Sequence, residues 1–418
     1  PTPKELREKL NQPLARPPAD AGIVPIMTDA WGGTNGSDGA ASSIAFERWL
    51  VPSEAAGSSQ SNVPVLIALP STRDQQVPLV FVNHGTTRCK SDTKVVSALS
   101  RYAERGWVAL SFDSRYHGER HPEFADVIDA HFENAGAGGG TKGGNEKVAD
   151  GADAVGGEAT GFPLTLSEQQ WGDMPANVRL APYYSALITS WRSQPSVERE
   201  SPFIYDSAWD ASRVLDAVLS ENMHGSLIDP ARIGTTGISL GGMISWFSAA
   251  SDTRFSVAAP AIGVQGFQYA LDENVWQARV ATLSGLFDAA LQDAQPNDAT
   301  DGKKDLDSDL VGQVWDAVVP RIRTDFDAPS SLALIAPRPL LIVNGEIDPR
   351  NPINGVESAV NVAKTTWSTV AGVDGTEGAE SWEVELMSAS GVAHEVTPEM
   401  WERIDGWFEA HFKSPHEA

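Results

Sequence analysis

Cysteine is all but missing from this 418-residue chain: Cys89 stands alone, so no intrachain disulfide can form, and no CxxC pair or Cys/His zinc pattern exists. Basic residues are scarce too. With 31 Lys and Arg against 56 Asp and Glu the net charge is −25, and long-range repulsion opposes binding to nucleic acid or to an anionic membrane. No run of about 18 apolar residues is present, which removes a membrane-spanning helix from the sequence reading. The opening PTPKELREKLNQPLARPP is charged and unlike a signal peptide. Because the chain starts at Pro1 rather than Met, a trimmed targeting segment stays open. A soluble protein is expected, with the cytoplasm favoured over other compartments and the oligomeric state undetermined.

The 41% hydrophobic content is ample for one large core. Residues 1–42 mix Pro, Gly, Asp and Ser without sustained periodicity and read as an irregular amino-terminal arm. FERWLVP and VPVLIALP, separated by SEAAGSSQSN, have hairpin composition and suit the edge of a mixed sheet. Strands then alternate with helices: PLVFVNHG (78–85), a helix from Thr93 to Arg105, WVALSFDSR (107–115), a helix from Ser207 to Leu219, RIGTTG (232–237) and a helix from Leu240 to Ala250. FSVAAPAIG (255–263), RPLLIVNG (338–345), WEVELM (382–387) and a helix from Pro398 to Phe412 complete the series. This rhythm predicts an α/β fold with a mostly parallel central sheet flanked by helices, occupying residues 43–418. Two insertions interrupt it. One spans about 121–200 and includes the small and polar stretch 134–160, whose composition predicts a mobile loop. The other, 264–330, is helix-like and carries Phe267, Tyr269, Trp276, Phe287 and Trp315. Both are candidate lids over the crevice at the strand ends, or extensions of the core.

The strongest local motif is Gly237-Ile238-Ser239-Leu240-Gly241, set between a strand and a helix. Small residues at 237 and 241 permit the sharp turn that raises a serine hydroxyl above the sheet. A serine needs an adjacent base, and acid and base follow in the order Ser, Asp, His. Asp348, in the loop after PLLIVNG, is the expected acid in preference to Glu346. Of the eight histidines, His394 lies just after the last strand, where a base can meet Ser239. The backbone N–H groups of Leu240 and Thr86 are the expected oxyanion donors. His84 reads either as a hydrogen-bonding support for that site or as a packed histidine. In Asp113-Ser114-Arg115-Tyr116-His117-Gly118-Glu119-Arg120, the residues Arg115, His117 and Arg120 either bind a substrate carboxylate or hold the loop through ion pairs. Gln265, Tyr269 and Trp276 are candidate pocket-lining residues. No metal site and no cofactor are expected.

VFVNHGTTRCK, FDSRYHGER, TGISLGGM, DTRFSVAAPAIGVQGFQYALDENVWQARV, APRPLLIVNGEIDPR and AHEVTPEM together resemble a group of plant and bacterial α/β-hydrolases of the dienelactone-hydrolase and acetyl-esterase-like clan, over roughly residues 78–413. The resemblance implies the α/β-hydrolase fold, the set Ser239, Asp348 and His394, and hydrolysis without saying of what. The Gly-rich insertion and the long arm depart from that group. The leading expectation is a serine esterase acting on a small-molecule ester, with short acyl chains first. An acyl-peptidase or amidase, and a non-catalytic ligand-binding protein of the same fold, are the alternatives.

Overall fold

The computed structural model describes residues 3–14, 25–32, 44–54, 60–125, 164–193, 200–295, 305–373 and 384–413. Nine strands form one sheet: β1 (Ile26–Gly32), β2 (Ala45–Pro52), β3 (Asn62–Leu69), β4 (Val77–Asn83), β5 (Val108–Phe112), β6 (Ile228–Ile238), β7 (Val257–Ala261), β8 (Leu340–Gly345) and β9 (Val384–Ala389). Their order is β1-β2-β3-β5-β4-β6-β7-β8-β9. The first three strands pair antiparallel, β3 joins β5 antiparallel, and from β5 across to β9 every pairing is parallel. The central strands β4, β5, β7 and β8 are nearly continuous apolar runs because both sheet faces are covered there. Every residue of β4, β5, β7 and β8 is buried.

Alternate residues serve the two faces. Val80 and Val82 of β4, with Leu341 and Val343 of β8, pack under α2 (Thr93–Glu104) and α13 (Pro398–His411). Leu79 and Phe81, with Leu340 and Ile342, meet α5 (Tyr205–Val218), α6 (Leu240–Ser251) and α12 (Ile353–Val373). The sequence reading named the strands on either side of α12 but not the helix itself, although Val356, Ala359, Val360, Ala363 and Trp367 form a buried helical stripe.

The arm differs from its expectation. Residues Pro3–Leu14 form helix α1, which buries Leu10 in the main core and donates from the Arg7 guanidinium to the carbonyl of Ala250 at 3.1 Å. β1 pairs with β2 and extends the sheet. Helix α1 is amphipathic but only 12 residues long, and docking onto the core supplies the order that so short a helix lacks by itself in water. In the first insertion, stretch 134–160 lies outside the described residues, and the part after it forms α3 (Leu166–Asp173) and α4 (Ala176–Arg192). The second insertion holds α7 (Phe267–Asp272), α8 (Gln277–Val280), α9 (Ser284–Asp293), α10 (Ser308–Val318) and α11 (Ala328–Ser331). Phe267, Trp276, Phe287 and Trp315 all join the main core cluster, so these aromatics extend the core.

A buried ionic knot ties the loop after β5 to its surroundings. Asp210 of α5 accepts from the Arg115 guanidinium at 2.8 and 3.0 Å and from Arg120 at 2.6 Å, and Ser53 donates to it from the β2–β3 hairpin. Arg115 also pairs with Glu54 at 2.9 Å. Burial by itself raises the Asp210 carboxyl, but the two guanidinium groups outweigh it and hold it down at about 2.

Removing one partner strands the others in a dry interior. Asp210→Ala is therefore expected to cost about 3–5 kcal/mol of folding stability, read from denaturant midpoints. A loss under about 1 kcal/mol contradicts the assignment. The depressed carboxyl also predicts that its contribution is complete above the ordinary aspartate range and is lost as pH falls toward about 2. Acid titration of wild type against Asp210→Asn should show the two stability curves converging in that window.

Candidate active site

β6 leads straight into α6, and the turn between them places Ser239 at φ 58°, ψ −110°, a strained conformation for a residue with a side chain. Two glycines make the turn possible. A Cβ on Gly237 would lie 2.6 Å from the Asn83 carbonyl oxygen, and one on Gly241 only 2.0 Å from it. The Ser239 hydroxyl is thereby raised at the carboxyl edge of the parallel strands, with the Leu240 N–H opening the next helix.

His394 sits in the loop after β9. Its Nε2 lies 2.9 Å from Ser239 Oγ, and its Nδ1 lies 2.7 Å from Asp348 Oδ2. With Asp348 ionised, Nδ1–H donates to the carboxylate and Nε2 is left to accept the serine proton. Burial lowers the His394 imidazole below its ordinary value of 6.5, Asp348 pulls it upward, and the nearby charges of Arg279 and Arg350 push it down again. Asp348 sits in the loop after β8 and accepts four donors: His394, the Asn351 amide at 3.0 Å, and the backbone N–H groups of Arg350 and Asn351 at 2.8 and 3.2 Å. Burial works against its ionisation, and these donors reverse the effect, so its carboxyl lies below the usual range. Glu346 has a different task. It accepts from the Ser390 hydroxyl and the Gly391 N–H at 2.7 and 2.9 Å, clamping the start of the His394 loop.

Thr86 follows β4 in the loop that faces the elbow; a Cβ on Gly85 would stand 3.9 Å from the Ser239 Cβ. Three side chains hold it, two from the loop itself and one from α4. His84 is buried, takes the Ser114 N–H on Nε2 at 3.0 Å, and donates from Nδ1 to the Gly85 carbonyl at 2.9 Å. Both ring nitrogens are thus engaged, so His84 is a support and not a substrate contact. Arg179, on α4, donates to the Thr87 carbonyl at 2.9 Å, and Thr87 itself has φ 67°. Lys90 is fully buried among Asp113, Glu119 and Glu168, at 3.1, 2.7 and 2.9 Å. Burial lowers its ammonium, and the three carboxylates overcome that and keep it charged.

The other sequence candidates separate cleanly. Arg115 is wholly buried and committed to Asp210 and Glu54, which removes it as a carboxylate-binding residue. His117 is buried too, donates from Nδ1 to the Arg115 carbonyl at 2.8 Å, and packs against Tyr183. Burial, with His84 beside it, pushes its imidazole down to about 3, so it stays neutral and structural. Gln265 is buried, and its Oε1 accepts from Arg279 Nε at 2.6 Å. Tyr269 is half-buried, with its ring against Gly355 of α12. Trp276 is 8% exposed within the core. Lys90, Arg179, Arg279 and Asn351 were missed by sequence reasoning. Isolated basic or amide residues in loops carry no periodic signal, and only the polar crowding of NGEIDPRN (344–351) around Asp348 could have pointed to Asn351. Among the described residues no cluster of His, Cys, Asp and Glu could hold a metal, and no described helix is long and apolar enough to cross a membrane.

A family model described as fungal glucuronyl esterase matches residues 198–371. Among solved structures, a methylesterase is similar at 13% identity and TM-score 0.54, covering all of this chain and 66% of that one. This chain thus spans just under two thirds of the methylesterase's length. Acetyl xylan esterase 1 from Thermoanaerobacterium sp. follows at 12% identity and TM-score 0.53, with 99% and 95% of the two chains covered. A glucuronoyl esterase from Solibacter usitatus is 14% identical at TM-score 0.52, with 98% and 93% covered. No curated protein matches the chain. These likenesses show the fold alone: the chain has the α/β-hydrolase fold.

Phosphonylation of Ser239 by a fluorophosphonate reports the serine and its base without reference to a substrate. Its rate should rise with pH as His394 loses its proton, with a midpoint below 6.5 because burial lowers the imidazole. Asp348→Asn removes the upward pull and should move the midpoint further down while slowing the reaction; a wild-type midpoint above 6.5 would refute the reading. Arg179→Ala frees the Thr87 carbonyl and should slow labelling roughly tenfold, short of the full loss of an oxyanion donor.

Proposed function

We propose that the protein is a serine hydrolase that cleaves carboxylic esters through an acyl-enzyme. The observation that carries the reading is the unbroken line from Ser239 Oγ through His394 to Asp348, at 2.9 and 2.7 Å, with the nucleophile on a strained strand-to-helix turn. A binding protein has no need of that alignment. The names of the similar proteins, a methylesterase, an acetyl xylan esterase and glucuronoyl esterases, support esters over amides and extend the substrate class to carbohydrate esters.

In this mechanism Ser239 Oγ attacks the ester carbonyl as its proton passes to His394 Nε2. The negative charge that forms on the carbonyl oxygen is met by the N–H groups of Leu240 and Thr86. Asp348 holds the imidazole in the right tautomer and stabilises its positive charge. Collapse breaks the bond to the alcohol, which takes the proton back from His394. Water, deprotonated by the same nitrogen, then attacks the acyl-Ser239 ester, releasing the acid and restoring the serine proton. Short acyl chains are the expected substrates.

Hydrolysis of a p-nitrophenyl ester series from acetate to palmitate tests this. Wild type should turn over the short esters, Ser239→Ala should lose about 10⁶-fold in kcat, and Asp348→Asn about 10⁴-fold. Equal rates for wild type and Ser239→Ala on every ester would sink the proposal.

A further inference from the structure

Two arginines beside the triad have no carboxylate partner among the described residues; Arg338 and Arg179 have none either, but their guanidinium groups are taken up by backbone carbonyls. Arg48, Arg115, Arg120, Arg254 and Arg323 each pair with a carboxylate. Arg279, at the carboxyl side of α8, is 4% exposed, and all its acceptors are neutral: Gln265 Oε1 at 2.6 Å, the Arg350 carbonyl at 3.2 Å, and Asn351 Oδ1. Its Nη1 donates to no described residue. The half-buried Arg350 guanidinium has neither a hydrogen bond nor an ion pair among the described residues.

The anion that acts on Arg279 is Asp348, whose two oxygens are already taken by four donors, the Arg350 backbone N–H among them. Two further donors in this segment, Gln265 Nε2 and Trp276 Nε1, are buried without a partner among the described residues. Burying a cation without a counter-charge is unfavourable, and burial accordingly pulls the Arg279 guanidinium down to about 9. Its charge and that of Arg350 also act on His394, so the pair belongs to the reacting centre. Surplus positive charge and spare donors at one end of a site call for a ligand that brings negative charge and acceptors.

We infer that Arg279 and Arg350, with Gln265 and Trp276, form a subsite for a free carboxylate on the substrate, so that the preferred esters are half-esters of dicarboxylic acids or acylated hydroxy acids. This rests on the ester-hydrolase reading above. The overall charge of −25 repels such substrates at long range, so a preference for them has to come from local cations.

Charge is isolated by isosteric pairs: monomethyl glutarate against methyl glutaramate places it on the acyl side, and 4-acetoxybenzoate against 4-acetoxybenzamide on the alcohol side. The wild type should prefer the carboxylate member of at least one pair by tenfold or more in kcat/KM. That ratio should fall at least fivefold in Arg350→Gln, whose side chain is partly exposed, and in Arg279→Lys. Ratios near one in both pairs for the wild type, or a ratio unmoved by both variants, overturn the carboxylate subsite alone. Absence of turnover on all four esters overturns the ester-hydrolase reading beneath it.

Discussion

The close approach of the β4 end to the first turn of α6 is the constraint on which the site depends. Gly237 and Gly241 let the Asn83 carbonyl come within van der Waals distance of the elbow, and no larger residue fits at either position without displacing backbone. Asn83 also secures the contact from its side chain, donating to Thr235, the Thr236 carbonyl and the Ser245 hydroxyl at 3.2, 3.2 and 2.9 Å. The strain at Ser239 persists because the surrounding sheet and helix over-determine it. Once the elbow is set, the Ser239 hydroxyl, the Leu240 N–H and the loop carrying Thr86 share one corner of the sheet.

The loops that meet at that corner are held by buried charge and not by apolar packing alone. Lys90 gathers Asp113 and Glu119 from the loop after β5 and Glu168 from α3, and Arg48 shares Glu168 at 2.8 Å. Asp210 gathers Arg115 and Arg120 in the same way. Such networks are expensive to desolvate, and their value lies in admitting only one arrangement of the loops. Each insertion is coupled to the site through this chemistry: α3 through Glu168, α4 through Arg179 on the Thr87 carbonyl, and α8 through Arg279 on Asn351. The described parts of the insertions therefore hold the loops that carry Thr86 and Asp348.

The acid loop shows how little separates alternatives along the chain. Glu346 and Asp348 are two residues apart, yet one clamps Ser390 and Gly391 while the other faces His394. The order of strand, turn and acid was legible because it follows from where β8 ends, and the choice of Asp348 agrees with the hydrogen bond it makes. The network that keeps that carboxylate ionised was not legible, since Asn351 and Arg279 meet only across folded loops.

What the sequence determined by itself was whatever depends on local pattern: the alternating strands and helices, the small residues flanking Ser239, and the positions of Asp348 and His394 at strand ends. These are short-range signals, set by periodicity and by steric allowance within a few residues. Only the tertiary structure decided that Pro3–Leu14 and Ile26–Gly32 dock as helix and strand, that Arg115 and His117 are interior supports, and that Arg279 and Arg350 have no carboxylate partner among the described residues. Those outcomes turn on which charges meet after residues far apart in the chain have been brought together, and on how much water is left around them. Neither quantity is written in any one segment.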